Sequence, residues 1–207
     1  MPIYQPTKKN ASVKRNEIQF QILTLSEQIA ETEGWDAVTM RRIAQEIDKS
    51  LPIVYRHFTA KEEIIDIVAQ RGYIKIYVEF EKIIKLSKEN KENKLKETIN
   101  NLLSFYANFG LDNPALYQAM YGMNGVIAFQ DAQIEESKKI YQMLLGELKK
   151  EISKPDDEVK LILDYIWSAI HGYVTVANLD RMNYSKEYCT KMVNLMTESM
   201  CQLVFNI

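Results

Sequence analysis

Between Thr39 and Lys61 the chain reads TMRRIAQEIDKSLPIVYRHFTAK. The side chains here suit holding a phosphate better than breaking a covalent bond. Thr39 and Ser50 each place a hydroxyl at the start of a short predicted helix, where first-turn N–H groups favour an anion. Arg41, Arg42, Arg56 and Lys61 add cations, and Tyr55 and His57 add hydrogen-bonding rings. Such groups fix position on a polyanion and give salt-dependent affinity, without choosing a sequence. Leu51, Pro52 and Ile53 offer no hydrogen bond and suit apolar contact, such as a thymine methyl.

Two short elements must position these groups. One predicted helix spans about 40–47 with Thr39 as N-cap. The next spans about 51–57, with Ser50 as N-cap and Pro52 in a first turn that needs no N–H there. Ile43, Ala44, Ile47, Val54 and Phe58 form the apolar pattern that lets the two pack, with small Ala44 at the close approach. This is the layout of a helix-turn-helix, whose second helix enters the major groove. Asp48 stands in the turn, and Asp tolerates the left-handed conformation a tight turn needs. Thr59-Ala-Lys-Glu62 has the pattern of a capping box opening a long helix to about 86.

The stretch from Gly34 through Thr39, Met40, Ile43 and Ala44 to Ser50, Pro52, Tyr55-Arg56-His57-Phe58 and Lys61-Glu62 resembles the TetR family of bacterial regulators. The specific motif covers about residues 17–66, and helix number and length downstream are also similar. The turn departs from the family pattern: Ile47, Asp48 and Lys49 stand where a small residue, Gly and an apolar residue are usual, and Pro52 stands where Gly is common. The resemblance implies that Thr39, Tyr55 and Lys61 hold phosphates. It implies that Arg41 reaches a base or phosphate, and that Leu51, Ile53 and His57 face base edges. It also implies a dimeric C-terminal ligand-binding domain. Trp167-Ser-Ala-Ile-His171-Gly172 resembles a Trp-x-x-x-His-Gly motif of one group of such domains.

The rest of the chain fits an all-α fold of about nine helices. Only 7 Gly and 5 Pro occur in 207 residues, so breakers are scarce. No period-two strand pattern is present. Ile18, Ile22, Leu25 and Ile29 give a first helix from about Glu17 one apolar face. Further helices are predicted over about 94–109, 113–121, 132–152, 156–180 and 186–204. Residues 1–15 hold Lys8, Lys9, Lys14 and Arg15 with no acid and read as a flexible basic arm. Residues 16–62 read as the DNA-binding head and 63–207 as the dimerisation and effector-binding body. Residues 1–61 carry 9 Lys/Arg against 7 Asp/Glu, and the remainder 17 against 21, so the basic excess sits in the head.

The final two predicted helices each carry two apolar stripes, more than one burial partner requires. Ile162, Ile166, Tyr173, Val193, Met196 and Met200 are the residues expected at a homodimer interface. Aromatic and Met side chains suit a small apolar or aromatic effector, and Phe105, Phe109, Met120, Tyr121, Phe129, Tyr141, Trp167 and His171 are the candidate pocket. His171 is expected as a hydrogen-bonded packing residue. Cys189 and Cys201 share one predicted helix about 18 Å apart, too far to pair. No metal, cofactor or catalytic site is expected: HExxH, P-loop and Gly-rich nucleotide motifs are absent and only two His occur. No apolar run is long enough to span a membrane. The N-terminus lacks the apolar stretch of a secretory signal, so a cytoplasmic location is expected. The expected function is a ligand-responsive homodimeric repressor on a palindromic double-stranded DNA operator; the alternatives are a regulator of the same kind without a small-molecule effector, and an all-α enzyme.

Overall fold

The computed structural model describes residues 8–87, 94–123, 130–179 and 185–205. They form nine α-helices and one 3-10 turn, with no strand among the described residues: α1 Lys8–Glu33, the turn Trp35–Ala37, α2 Met40–Glu46, α3 Leu51–Tyr55, α4 Lys61–Ser87, α5 Lys94–Asp112, α6 Pro114–Tyr121, α7 Gln130–Glu151, α8 Asp156–Ala177 and α9 Lys186–Phe205. The chain divides into two compact units. Unit 1 holds residues 1–70 and 115–130, and unit 2 holds 71–114 and 131–207.

In unit 1, α1 is helical from Lys8, so the expected arm is helix from that residue on. Its buried side is Ile22, Leu23, Ile29 and Ala30, while Ile18 and Leu25 are only half covered. Ser26 sits on that buried side because its hydroxyl donates to the Ile22 carbonyl at 2.7 Å. Gly34 ends the helix at φ +85°, a conformation an L side chain rarely adopts, and its N–H donates to the Ala30 carbonyl at 2.9 Å. Trp35, Val38, Ile43, Val54 and Phe58 are buried, as are Ile64, Ile65 and Val68 from the start of α4. The indole N–H of Trp35 donates to the Ala115 carbonyl at 2.8 Å. That long-range bond helps explain why α6 belongs to unit 1, whereas sequence proximity alone would place it with the helices around it. Tyr117 and Tyr121 stack within α6, their ring centroids 4.7 Å apart.

Unit 2 is built on α5, which packs against α8 and α9, while those two also pack on each other. Its buried residues include Ile76, Phe80 and Ile84 of α4 and Ile99, Leu103, Tyr106 and Ala107 of α5. Ile140 and Leu144 of α7, Val159, Leu163, Ile170 and Val174 of α8, and Val193 and Met200 of α9 complete the set. Asn113 turns its amide back to the Phe109 carbonyl at 2.8 Å and closes the end of α5. The boundary between the units falls inside α4, after Gln70.

Candidate nucleic-acid interface and ligand cavity

The helix-turn-helix forms because each of its ends is satisfied locally. Thr39 is extended (φ −131°, ψ 147°), and its hydroxyl accepts from the Arg42 N–H at 3.2 Å, capping α2. Asp48 adopts φ +52°, the left-handed turn expected of it, and the Lys49 N–H then reaches back to the Ala44 carbonyl at 2.9 Å. Lys49 folds its ammonium onto the Asp48 carbonyl at 3.0 Å, which keeps its charge at the turn. Ser50 occupies the cap position of α3 but its hydroxyl makes no cap bond. α3 itself is shorter than expected and ends at Tyr55, with a tighter turn running through His57. The capping acid of α4 is Glu63 rather than Glu62: its carboxylate accepts from the Thr59 N–H at 2.6 Å and the Thr59 hydroxyl at 3.0 Å.

Burial separates the sequence-predicted contact residues. Val54 and Phe58 are buried beneath α3, while Leu51, Pro52, Tyr55 and Arg56 are exposed, Tyr55 by 49 %. Thr39, Arg41 and Ser50 are also exposed, and Ile53 and His57 are half-buried. Thr39, Arg41, Tyr55 and Arg56 therefore present a hydroxyl, two cations and a phenol outside the packed pair. Arg42 is different. Its guanidinium donates to both carboxylate oxygens of Glu33, at 2.6 and 2.8 Å, and to Glu46 at 2.7 Å. These bonds raise the already high pKa of Arg42 and hold Glu33 below the usual carboxylate range. A guanidinium held this way joins the end of α1 to α2 and is poorly placed to grip a phosphate. Glu46 was legible as an i+4 partner of Arg42, but Glu33 was not, since only the fold brings α1 to that point. Lys61, expected on phosphate, donates to the Trp35 carbonyl and so ties the start of α4 to the 3-10 turn. Its remaining N–H groups can still meet an anion.

Unit 2 contains a cavity of about 80 Å³. Its apolar wall comes mainly from Phe80, Ile84, Leu103, Leu144, Ile166 and Trp167, with Lys94, Glu147 and Glu151 also reaching it. Of the seven expected pocket residues that the structure describes, Trp167 lines this cavity and the other six do not. Phe105 and Phe109 lie in an aromatic row with Phe80, centroids 5.9 Å apart at each step, beside the cavity wall. Met120 and Tyr121 belong to unit 1. Tyr141 donates its hydroxyl to Asp164 at 3.0 Å. Phe129 lies outside the described residues. His171 does not reach the lining, but its Nδ1 lies 3.1 Å from the hydroxyl of Tyr106, whose ring does, and that ring packs on Trp167 at 4.9 Å. Burial lowers the pKa of His171, favouring the neutral ring, as suits a packing residue.

The expected interface residues are also redistributed. Ile166, Tyr173, Val193 and Met200 are buried within the single chain, and Ile162 and Met196 are half-buried. The four buried ones belong to the chain's own core, where α5 packs on both α8 and α9. The apolar residues left outside are Leu161 (70 % exposed), Tyr165 and Val176 on α8, and Tyr188 and Leu195 (62 %) on α9. Gly172 lies on the same exposed side, and nothing lies within 4 Å of where its Cβ would stand. Among the described residues, then, no other element of the chain packs closely on Gly172.

Among the described residues no group of His, Cys, Asp and Glu could hold a metal ion, and no helix is long and apolar enough to cross a membrane. A capped two-helix head with outward hydroxyls and cations, joined to a helical unit with an apolar cavity, defines a helix-turn-helix transcriptional regulator. Residues 22–68 match the model of bacterial regulatory proteins of the tetR family, and residues 99–197 match the tetracyclin repressor-like C-terminal domain. The chain belongs to the TetR family. It is 26% identical over 192 residues to an HTH-type transcriptional regulator of Staphylococcus aureus, covering 91% of this chain and 95% of that one. The fold is similar to that of the TetR family transcriptional regulator PfmR from Thermus thermophilus, with TM-score 0.64, 15% identity and coverage of 87% and 96%. It is similar too to that of the transcriptional regulator FadR from Bacillus subtilis in complex with stearoyl-CoA, with TM-score 0.68, 19% identity and coverage of 91% and 98%.

Proposed function

We propose that the chain acts in the cytoplasm as a homodimeric repressor that reads a palindromic operator and releases it when a small molecule occupies unit 2. The observation that carries the DNA reading is the α2–turn–α3 head, with Thr39, Arg41, Tyr55 and Arg56 outside and Val54 and Phe58 inside. α3 enters the major groove, where Leu51, Pro52 and Ile53 favour thymine methyls and Arg41 supplies a guanine or phosphate contact. Thr39, Tyr55 and Lys61 hold the backbone. The regulator has no reaction of its own.

The pairing face follows from what is left exposed. Leu161, Tyr165, Gly172 and Val176 recur along α8 at helical spacing, and Tyr188 and Leu195 stand exposed on α9. Large apolar side chains standing out at this level are costly in water, and a second copy covers them in a self-complementary contact. Gly172 lets the partner's backbone come close. Dimerisation gives two heads for two half-sites about one helical turn, or 34 Å, apart.

The cavity supports the ligand reading, as does the stearoyl-CoA held by the similarly folded FadR. Residues Lys61–Gln70 of α4 belong to unit 1 and Arg71–Ser87 to unit 2, in one unbroken helix. That continuity makes α4 the element through which occupancy reaches the head. A ten- to hundredfold loss of operator affinity needs a coupling of only about 1.4–2.8 kcal/mol. The test is a titration of labelled operator with purified protein, with and without an effector found by thermal-shift screening. Operator affinity is expected to fall at least tenfold. An effector that binds stoichiometrically and leaves affinity unchanged contradicts the switch.

A further inference from the structure

The hydroxyls and charged groups that reach the cavity of unit 2 already have partners in the protein. The Ser87 hydroxyl donates to the Ile83 carbonyl at 2.7 Å and the Thr98 hydroxyl to the Lys94 carbonyl at 2.6 Å. Tyr106 sets its hydroxyl against His171. Lys94 and Glu151 form an ion pair at 2.9 Å, and Glu147 pairs with Lys150 at 2.6 Å. The remaining wall is hydrocarbon and aromatic ring. A charged ligand atom placed there loses its water and finds no unspent counter-charge.

The charged part of the lining penalises either sign. Lys94 at the start of α5 and Glu151 at the end of α7 are each about one-third exposed, so this pair is a part of the lining that water reaches. A carboxylate approaching Lys94 meets Glu151, with Glu147 one turn away on the same helix. An ammonium approaching Glu151 meets Lys94. A hydroxyl meets neither objection, because it accepts from Lys94 and donates to Glu151 without separating them. Size narrows the class further. At about 80 Å³ the space is smaller than the roughly 150 Å³ apolar cavity that admits benzene, so it suits a narrow chain better than a bulky ring system.

We propose that this cavity takes the slender hydrocarbon part of an uncharged small molecule whose single polar group ends at the Lys94–Glu151 pair. The proposal rests on the reading of unit 2 as the ligand sensor and specifies what it senses.

The experiment compares three probes with one chain and three charges: 1-hexanol, hexanoate and hexylammonium. Each is titrated into the full-length protein at pH 7 by calorimetry, with the fluorescence of Trp167 as a second signal. 1-Hexanol is expected to bind at least tenfold tighter than either ion. Glu151→Gln is expected to tighten hexanoate about tenfold while moving 1-hexanol by less than threefold. Trp167→Phe removes the fluorescence response that binding in this cavity produces. The proposal is overturned if either ion binds as tightly as 1-hexanol to the wild-type protein, or if 1-hexanol does not bind. If 1-hexanol binds as described and operator affinity does not change, the ligand class stands and the sensor reading fails.

Discussion

Arg41 and Arg42 adjoin in sequence but have different surroundings. Arg41 is exposed, while Arg42 is held by Glu33 and Glu46. Arg41→Ala is therefore expected to reduce the slope of log affinity against log salt by about 1 per subunit, the loss of one phosphate contact. Arg42→Ala is expected to weaken binding of every duplex with the slope unchanged, because it loosens α2 on α1 and removes no counterion release. Equal slope changes would contradict this division. Tyr55→Phe should likewise weaken all sequences alike. The triad of Tyr106, Trp167 and His171 makes a prediction about pH. Burial lowers the folded-state pKa of His171 below its ordinary value, so the unfolded chain takes up that proton first as pH falls. The stabilising contribution of the neutral ring is present above the unfolded value near 6.5 and is lost as pH falls through the folded one. Thermal melts should show stability declining from pH 7 toward pH 5, and His171→Gln should flatten part of that decline. An identical pH profile in the variant would count against the assignment. Most of these residues were visible as types in the sequence, but their partners were not. Ala115 and Tyr106 meet Trp35 and His171 across 80 and 65 residues of chain, and Glu33 meets Arg42 only because the fold brings the end of α1 to α2.

Helix starts and stops were the most legible elements, because caps and breakers act over a few residues. Thr39 and Asp48 each mark a boundary the structure keeps. The misreadings share a cause. Thr59 was assigned to the nearest capping pattern, with Glu62, and geometry chose Glu63 instead. Leu25 was expected to face the core, but α1 turns Leu23, Ser26 and Ala30 inward because a small residue or a back-bonded hydroxyl fits there as well as an aliphatic one. Gly34 and Asp48 offer a paired test of the turns. Gly34→Ala is expected to cost about 1–3 kcal/mol in urea unfolding, since φ +85° with ψ 163° is nearly closed to side chains. Asp48→Gly is expected to change stability by less than about 1 kcal/mol, because glycine adopts φ +52° freely. A larger loss at Asp48 than at Gly34 would mean the turn is held by something other than backbone preference.

The pattern of apolar residues showed that α8 and α9 bury more than one side. It could not say which side faces the chain's own core, since that depends on where α5 lies. The structure places Ile166, Tyr173, Val193 and Met200 inside and leaves Leu161, Tyr165 and Leu195 outside. Replacing Leu161 and Leu195 together by Glu is therefore expected to give a folded monomer in sedimentation, while Ile166→Glu should unfold unit 2. A dimer that survives the double change would move the interface elsewhere. The cavity likewise depends on how the helices meet. Aromatic residues were taken as its walls, while much of the wall is Ile and Leu, and the aromatic row of Phe80, Phe105 and Phe109 touches it only through Phe80. The claim on which the rest depends is that α3 reads DNA as one of a symmetric pair. Selection of binding sites from a random duplex pool by the full-length protein tests it most directly. The account predicts an inverted repeat whose half-sites lie about 10 base pairs apart, with thymine enriched beneath Leu51 to Ile53 and enrichment lost on Tyr55→Ala. Enrichment of no sequence, or of one that Tyr55→Ala selects equally well, would contradict it.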